Sequence, residues 1–145
     1  MSTIHILVGS TLGGAEYVAD TLAEQLQAAD HQVAIHLDPN LEDLPHAGTW
    51  LLCSSTHGAG ELPDNIQPFA EQLAQQPDLS AVRFAVFALG DSSYDTFCEG
   101  GKQLETAMLA CKAQSLWPRQ DIDVLDEQLP EELASAYLTE QIGKL

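Results

Sequence analysis

Basic residues are scarce in this sequence. Its 145 residues include five Lys and Arg against 22 Asp and Glu, which gives a formal net charge of −17 at pH 7. Phosphate backbones repel a chain of this charge, so the composition argues against nucleic acid as a partner. The same charge favours partners with basic surfaces, although a strongly acidic surface can also serve solubility alone.

Long apolar runs, a secretion signal and cysteine pairs are also missing. No stretch approaches the roughly 20 apolar residues that span a bilayer, and the N-terminus has neither a basic region nor an apolar signal core. The sequence therefore predicts a cytoplasmic protein with no membrane partner. Cys53, Cys98 and Cys111 show neither close pairing nor metal-ligand spacing, which is typical of reduced structural thiols.

The remaining composition is that of an ordinary folded domain. Hydrophobic residues make up 45% of the chain, and no internal repeat, linker or low-complexity segment interrupts it. We therefore predict one domain over residues 1–145, which is long enough for a full core, and a monomer.

Hydrophobic periodicity predicts strands that alternate with helices. Pro118 argues against a single continuous fifth strand, and Asp64 or Asn65 is placed to cap the second helix. The predicted strands are Ile4–Val8, Val33–Leu37, Thr49–Ser54, Val82–Leu89 and a fifth made from Ser115–Trp117 and Ile122–Leu125, and helical spacing covers Val18–Ala29, Ile66–Leu73, Phe97–Cys111 and Leu133–Ile142.

Such alternation predicts an α/β fold, in which a parallel sheet is covered by helices on both faces to give three layers. Right-handed crossovers then bring every strand-to-helix loop to the same end of the sheet. Ligands of open sheets bind outside the carboxyl ends of the strands. Unusual loops follow the first, third and fourth strands, so we expect them to converge on one edge.

The first of these loops, Gly9–Glu16, joins a strand to a helix and predicts an anion site. Unpaired N–H groups at a helix N-terminus and the helix dipole favour a phosphate. Ser10 and Thr11 add hydroxyl donors, and Gly13 and Gly14 allow the backbone to approach a ligand closely. The loop matches neither the P-loop, which needs a Lys, nor the three-glycine dinucleotide motif. A glycine turn without a ligand remains an alternative.

The second and third loops, Ser54–Asn65 and Gly90–Cys98, offer aromatic side chains among small residues. Because the first loop contains no cation, one terminal phosphate suits it better than a triphosphate with magnesium. A flat aromatic ligand between His57 and Tyr94 would gain stacking energy of roughly 0.5–1.5 kcal/mol per aromatic pair. Taken singly, each of these two residues is typical of an ordinary loop side chain, but their combination with the phosphate loop favours a ligand.

Together the three loops resemble the phosphate loop and the two isoalloxazine loops of the flavodoxin family. The segments Ser54–Asn65 and Ala88–Tyr94 are similar to the FMN domains of sulfite reductase and cytochrome P450 reductase. The segments Gly9–Ala19 and Tyr94–Cys98 resemble small bacterial flavodoxin-like proteins. The resemblance covers the whole chain, is of the short-chain type, and implies a five-stranded sheet in the order 2-1-3-4-5.

This resemblance implies FMN as the cofactor and one-electron transfer as the function. Tyr94 would stack on the flavin, and Gly58 matches the residue whose carbonyl can turn toward flavin N5. Hydroxyl residues of the family are replaced by Leu12 and Ala15, so we expect phosphate binding to depend mainly on backbone N–H groups. The implied phosphate residues are Ser10, Thr11, Leu12, Gly13, Gly14 and Ala15, and the implied flavin residues are Ser55, Thr56, His57, Gly58, Ala59, Gly60, Leu89, Gly90, Asp91, Tyr94, Phe97 and Cys98.

The resemblance also implies partners. The expected electron donor is a ferredoxin/flavodoxin NADP reductase, and the expected acceptor is a redox protein with a basic surface, with biotin synthase as the candidate. Two other functions stay open: a flavin-dependent quinone or small-molecule reductase that transfers hydride, and a flavodoxin-fold binding module without cofactor. A response-regulator receiver is excluded, because the third strand ends in Ser54 and Ser55 where a phosphoacceptor Asp is required.

Overall fold

The computed structural model describes residues 3–10, 14–56, 62–91, 93 and 98–145. In this part of the chain no helix combines the length and the hydrophobicity needed to cross a bilayer. The strands are β1 (Thr3–Gly9), β2 (Gln32–His36), β3 (Gly48–Ser54), β4 (Val82–Gly90), β5 (Gln114–Ser115) and β6 (Gln120–Asp123), and the helices are α1 (Gly14–Ala28), α2 (Gln67–Leu73), α3 (Glu99–Ala110) and α4 (Pro130–Gln141).

The strands form one parallel sheet in the order β2-β1-β3-β4-β5, and β6 also pairs with β4. The order implied by the resemblance is therefore confirmed. Segments β5 and β6 share the fifth position, with Pro118 between them. Phe84 pairs with Ser115 and Phe87 with Gln120, so β4 advances three residues while the opposite chain advances five. The two extra residues form the break that Pro118 predicted.

Side chains of the central strands alternate between two separate hydrophobic cores. Each fully buried Leu, Ile or Phe stabilises the fold by about 1.5–3 kcal/mol relative to an exposed one, so both faces of the sheet must be covered. One core joins the sheet to α2 and α3 and includes Leu7, Trp50, Leu52, Phe69, Phe84, Val86, Leu104 and Met108. The other joins the sheet to α1 and α4 and includes Ile6, Val8, Val18, Leu22, Leu51, Phe87, Ala134 and Leu138.

Helix boundaries differ from the sequence prediction by a few residues, and α1 and α4 begin earlier than predicted, at Gly14 and Pro130. The predicted cap of α2 at Asp64 or Asn65 is wrong, because the residue before α2 is Ile66 and no side chain caps this helix. Asn65 is instead committed to contacts outside the helix, described below. The last helix ends at Gln141 and continues as a 3-10 turn over Ile142–Lys144.

Candidate functional site

The carboxyl ends of three neighbouring strands meet at one edge of the sheet. Gly9 at the end of β1 lies opposite Ser54 at the end of β3, and Ser54 lies opposite Ala88 in β4. The first loop therefore leaves the sheet beside the second, and the second beside the third. This confirms the convergence that the alternation of strands and helices predicted.

Gly9 permits a close approach where the first loop begins. A Cβ atom at this position would lie 2.7 Å from Cγ2 of Ile66 and 2.7 Å from Oγ of Ser54. The Ser55 N–H also donates to the Gly9 carbonyl at 2.8 Å. The chain that enters α2 thus packs directly over the end of β1, and any side chain at position 9 would separate the two segments.

Asn65 ties the start of the first loop to β1 and to the residue that follows β2. Its Oδ1 accepts from the Ser10 N–H at 2.9 Å, and its Nδ2 donates to the carbonyls of Val8 and Leu37, each at 2.7 Å. One acceptor and two donor contacts fix the orientation of the amide. Sequence reasoning missed this role, because an Asn just before a helix is equally typical of a cap. Only the tertiary contact between residues 10 and 65 reveals it.

The helix that receives the first loop offers backbone groups rather than charge. Helix α1 begins at Gly14, and its first turn contains Glu16. The side chain of Ala15 is fully buried in the core, so this residue can offer a ligand only its backbone N–H. Of the predicted phosphate residues, Thr11, Leu12 and Gly13 lie outside the described residues. Ser10, Gly14 and Ala15 are described, and their contact with a phosphate stays a prediction.

The second loop is fastened to α3 as it leaves β3. The Gly100 N–H donates to Oγ1 of Thr56 at 3.0 Å. A Cβ at Gly100 would lie 2.8 Å from the Ser55 carbonyl oxygen, so glycine is required for this approach. The predicted flavin residues Ser55 and Thr56 are therefore half-buried and held in place. The residues that follow them in the prediction, His57, Gly58, Ala59 and Gly60, lie outside the described residues.

The third loop begins with a side-chain turn. Asp91 accepts through Oδ1 from the N–H of Ser93 at 2.9 Å and from its hydroxyl at 2.6 Å. This carboxylate therefore shapes the loop in addition to any role toward a ligand. Leu89 and Gly90 are buried, and the side chain of Leu89 belongs to the core under α1 and α4. The predicted flavin residues Tyr94 and Phe97 lie outside the described residues.

Cys98, the last residue of the third loop, lies in the core that joins the sheet to α2 and α3. It has a left-handed backbone with φ of 57°, and its Sγ contacts the Ala88 carbonyl oxygen at 3.4 Å. Burial, and secondarily Asp121, raises the pKa of this thiol to about 12. Like Cys53 and Cys111, it is free and buried, as the sequence predicted for structural thiols. Its side chain thus packs into the protein.

Acidic side chains dominate the neighbouring end of the sheet. Asp121 and Asp123 lie in β6, and Gly90 pairs with Asp123. Arg119 is bound by two carboxylates, those of Glu105 and Asp121, with each contact at 2.6 Å. These contacts raise the pKa of Arg119, with the hydrogen bond to Asp121 as the largest cause. The guanidinium is therefore neutralised locally.

A family model agrees with this architecture. The model described as Flavodoxin matches residues 6–137, which is most of the chain. Protein MioC of Escherichia coli K12 is 46% identical over 146 residues, which cover 100% of this chain and 99% of that protein. This agrees with the likeness to small bacterial flavodoxin-like proteins that the first loop predicted.

Two further proteins extend the comparison. The sulfite reductase [NADPH] flavoprotein alpha-component of Shewanella sp. MR-7 is 37% identical over 126 residues, which cover 84% of this chain but 21% of that protein. The solved structure of a cysteine-to-serine mutant of flavodoxin from Pseudomonas aeruginosa has a TM-score of 0.90 at 33% identity, and covers 99% of both chains. The sequence resemblance to sulfite reductase is thus confirmed, and so is the fold.

Proposed function

The chain belongs to the flavodoxin family, whose members bind FMN and carry electrons, and on that premise we propose that it passes single electrons from an NADPH-dependent reductase to an acceptor enzyme. The observation that supports this most is the convergence of the three loops at the ends of β1, β3 and β4. In this proposal residues 1–145 form one FMN-binding domain, which acts as a monomer in the cytoplasm.

The described residues fit a flavin mononucleotide. An anion at the first loop would meet the N-terminus of α1, where backbone N–H groups and the helix dipole favour negative charge. The start of the second loop is fastened to α3 by the hydrogen bond from the Gly100 N–H to Thr56, so this side of the proposed flavin site is held in place before a ligand binds. Preorganised groups of this kind bind a ligand with a smaller loss of conformational entropy.

Each loop has a separate task in this proposal. Residues Ser10 to Ala15 hold the phosphate, chiefly through backbone N–H groups, and Tyr94 and His57 cover the flavin faces. Gly58 leaves its peptide free to turn toward the ring, because glycine allows both orientations at low steric cost. When bound, FMN supplies the one-electron chemistry, and the protein orients it and keeps water from the buried side of the ring.

The proposed partners follow from family and from charge. A ferredoxin/flavodoxin NADP reductase is the proposed donor, and biotin synthase is the proposed acceptor, by resemblance to the MioC-type proteins. Carboxylates at the ligand edge would steer the basic surface of such a partner toward the flavin. Attraction of this kind raises association rates and weakens as salt is added.

Reconstitution with FMN tests the proposal. The apoprotein is titrated with FMN, and the complex is then reduced stepwise under anaerobic conditions while visible spectra are recorded. We expect one FMN per chain, a long-wavelength absorbance band at half reduction, and affinity weaker than subnanomolar because Leu12 and Ala15 supply no hydroxyl. Absence of any flavin binding would support the binding module instead. Steady NADPH oxidation by the isolated holoprotein would support a hydride-transferring reductase.

A further inference from the structure

An exposed apolar surface follows β6 at the same end of the sheet as the candidate site. Val124, Leu125 and Leu129 are 45%, 59% and 55% exposed. They account for three of the seven large hydrophobic residues that are exposed in the described part of the chain, yet they fall within six consecutive residues. Isolated exposed leucines need no explanation, but a local concentration of them indicates a contact surface.

This segment, which we call the 124–129 surface, is held in a defined conformation. The N–H of Asp126 donates to the Asp123 carbonyl at 3.1 Å, and the N–H of Leu125 donates to the Asp123 carboxylate at 3.0 Å. A second side-chain turn links the N–H of Gln128 to the Asp126 carboxylate at 3.0 Å. Because the backbone is already ordered, a partner that contacts it does not have to immobilise the loop.

The 124–129 surface is joined directly to the third loop of the candidate site. The N–H of Val124 donates to the carbonyl of Gly90 at 2.8 Å. Since β5 and β6 occupy the outer position of the sheet, the turn that follows β6 has no further strand beside it among the described residues. A protein bound to the 124–129 surface would therefore lie at the edge where the flavin is proposed to bind.

The charges around these residues define what can bind there. Residues 120–132 contain six carboxylates and no Lys or Arg: Asp121, Asp123, Asp126, Glu127, Glu131 and Glu132. A second copy of the chain would bring another net charge of −17 to the contact, and an anionic membrane would be repelled in the same way. A basic protein is attracted, and an apolar centre with a charged rim is typical of protein interfaces.

We propose that the 124–129 surface docks a redox partner that presents an apolar hollow rimmed by Lys and Arg. This rests on the proposed electron-carrier function and adds to it the place of contact and the chemistry of the partner. Leu125 and Leu129 enter the hollow, and the surrounding carboxylates pair with the rim. The apolar contacts set how long the complex lasts, while the charges set how fast it forms.

Cytochrome c, a small basic one-electron acceptor, is a suitable probe. The 15N-labelled protein is titrated with it at low salt, and amide chemical shifts locate the contact. We expect the largest shifts in residues 123–132. Leu125→Ser and Leu129→Ser together should weaken binding about tenfold or more, whereas Leu109→Ser should leave it unchanged, because Leu109 is 52% exposed on α3. Asp126→Asn with Glu127→Gln should instead slow association and reduce its salt dependence.

Several results would overturn the proposal. Largest shifts on another face, or equal affinities for the double serine variant and Leu109→Ser, would show that the 124–129 surface is not the contact. Self-association in sedimentation that disappears in the serine variants would assign the surface to a second copy. Because binding to cytochrome c is measured without flavin reduction, failure here is distinguishable from failure to bind FMN, which the reconstitution spectra report.

Discussion

Asn65 is a single side chain that connects the first loop to β1 and to the residue that follows β2. Replacing it with Ala removes three hydrogen bonds and leaves the Ser10 N–H without this acceptor. Each bond contributes about 0.5–1.5 kcal/mol net, so Asn65→Ala should lower the free energy of unfolding by roughly 2–4 kcal/mol. It should also weaken FMN binding about tenfold, because the first amide of the phosphate loop is no longer positioned. Urea unfolding and FMN titration measure the two effects.

Riboflavin, which lacks the phosphate, separates positioning from general damage. If Asn65 positions the phosphate loop, Asn65→Ala should lower FMN affinity more than riboflavin affinity. Asn40→Ala is the matched control, because Asn40 also makes side-chain hydrogen bonds, to Glu42 and Gln72, at a 3-10 turn away from the strand ends. An equal loss of affinity for both ligands would show that Asn65 is structural only.

A pair of histidines, His5 in β1 and His36 in the edge strand β2, should make the stability of the fold depend on pH. Nδ1 of His5 and Nε2 of His36 are 2.9 Å apart, so one ring donates and the other accepts. Burial lowers the pKa of both, and in His5 the charge of His36 lowers it further, whereas Asp43 opposes the shift in His36. The folded protein thus binds protons less readily than the unfolded chain. Stability should be complete above the reference pKa of about 6.5 and fall as pH drops through the lower folded values.

Replacing one member of the pair tests this reasoning. His36→Gln keeps a hydrogen-bonding partner for His5 but removes one titrating ring, so unfolding free energy should fall less between about pH 7.5 and pH 5.5 than in the original protein. His46→Gln, at an exposed position, leaves the pair intact and serves as the control. Parallel pH profiles for His36→Gln and the original protein would contradict the prediction.

At the scale of elements, the approach of α3 to the sheet depends on two consecutive glycines. A Cβ at Gly101 would lie 2.2 Å from Cβ of Ala88, and one at Gly100 would meet the second loop. Alanine normally favours a helix over glycine by about 1 kcal/mol, but here overpacking of about 1–3 kcal/mol opposes it. We expect Gly101→Ala to lower the free energy of unfolding more than Gly100→Ala does. Gly100→Ala should cause the larger loss of FMN affinity relative to its loss of stability, because its added Cβ meets the second loop.

Thermal unfolding and FMN titration of these variants provide the measurement. Gly143→Ala is the control, because a Cβ there meets nothing within 4 Å among the described residues. The prediction fails if Gly100→Ala binds FMN as tightly as the control. It fails equally if Gly101→Ala raises the melting temperature, since that would mean that α3 can move away from β4 without loss.

The order of elements could be predicted from sequence because each element depends on local pattern. Apolar periodicity located all the predicted strands and helices within a few residues, and Pro118 located the break in the fifth strand. Local pattern could not show that Asn65 binds the first loop instead of capping α2. Its partners Ser10 and Val8 are 55 and 57 residues away in the sequence. The convergence of the loops was predictable from handedness, but the contacts that lock them together depend on packing between distant segments.

At the scale of the whole molecule, the excess of carboxylates acts on folding as well as on partners. With a net charge of −17, the carboxylates repel one another more strongly in the compact folded state than in the expanded unfolded chain. The ion pairs of the described residues relieve little of this repulsion. Arg119 already pairs with both Glu105 and Asp121, and Nζ of Lys102 is 3.8 Å from Oε2 of Glu99 at an exposed position. An exposed pair such as that of Lys102 and Glu99 contributes about 0–1 kcal/mol to the free energy of unfolding.

Added salt should therefore stabilise this protein. The screening length shortens from about 30 Å at 0.01 M to about 10 Å at 0.1 M, so raising NaCl at pH 7 weakens repulsion between carboxylates across the surface. We expect the melting temperature of the apoprotein to rise by roughly 3–5 °C, equivalent to about 1 kcal/mol for a chain of this size. Glu71→Gln, Glu127→Gln and Glu140→Gln combined, at exposed positions outside the first turn of any helix, should be more stable at low salt and respond less to NaCl. A melting temperature that falls with salt would mean that attractive pairs outweigh repulsion, and the acidic surface would then be stabilising in itself.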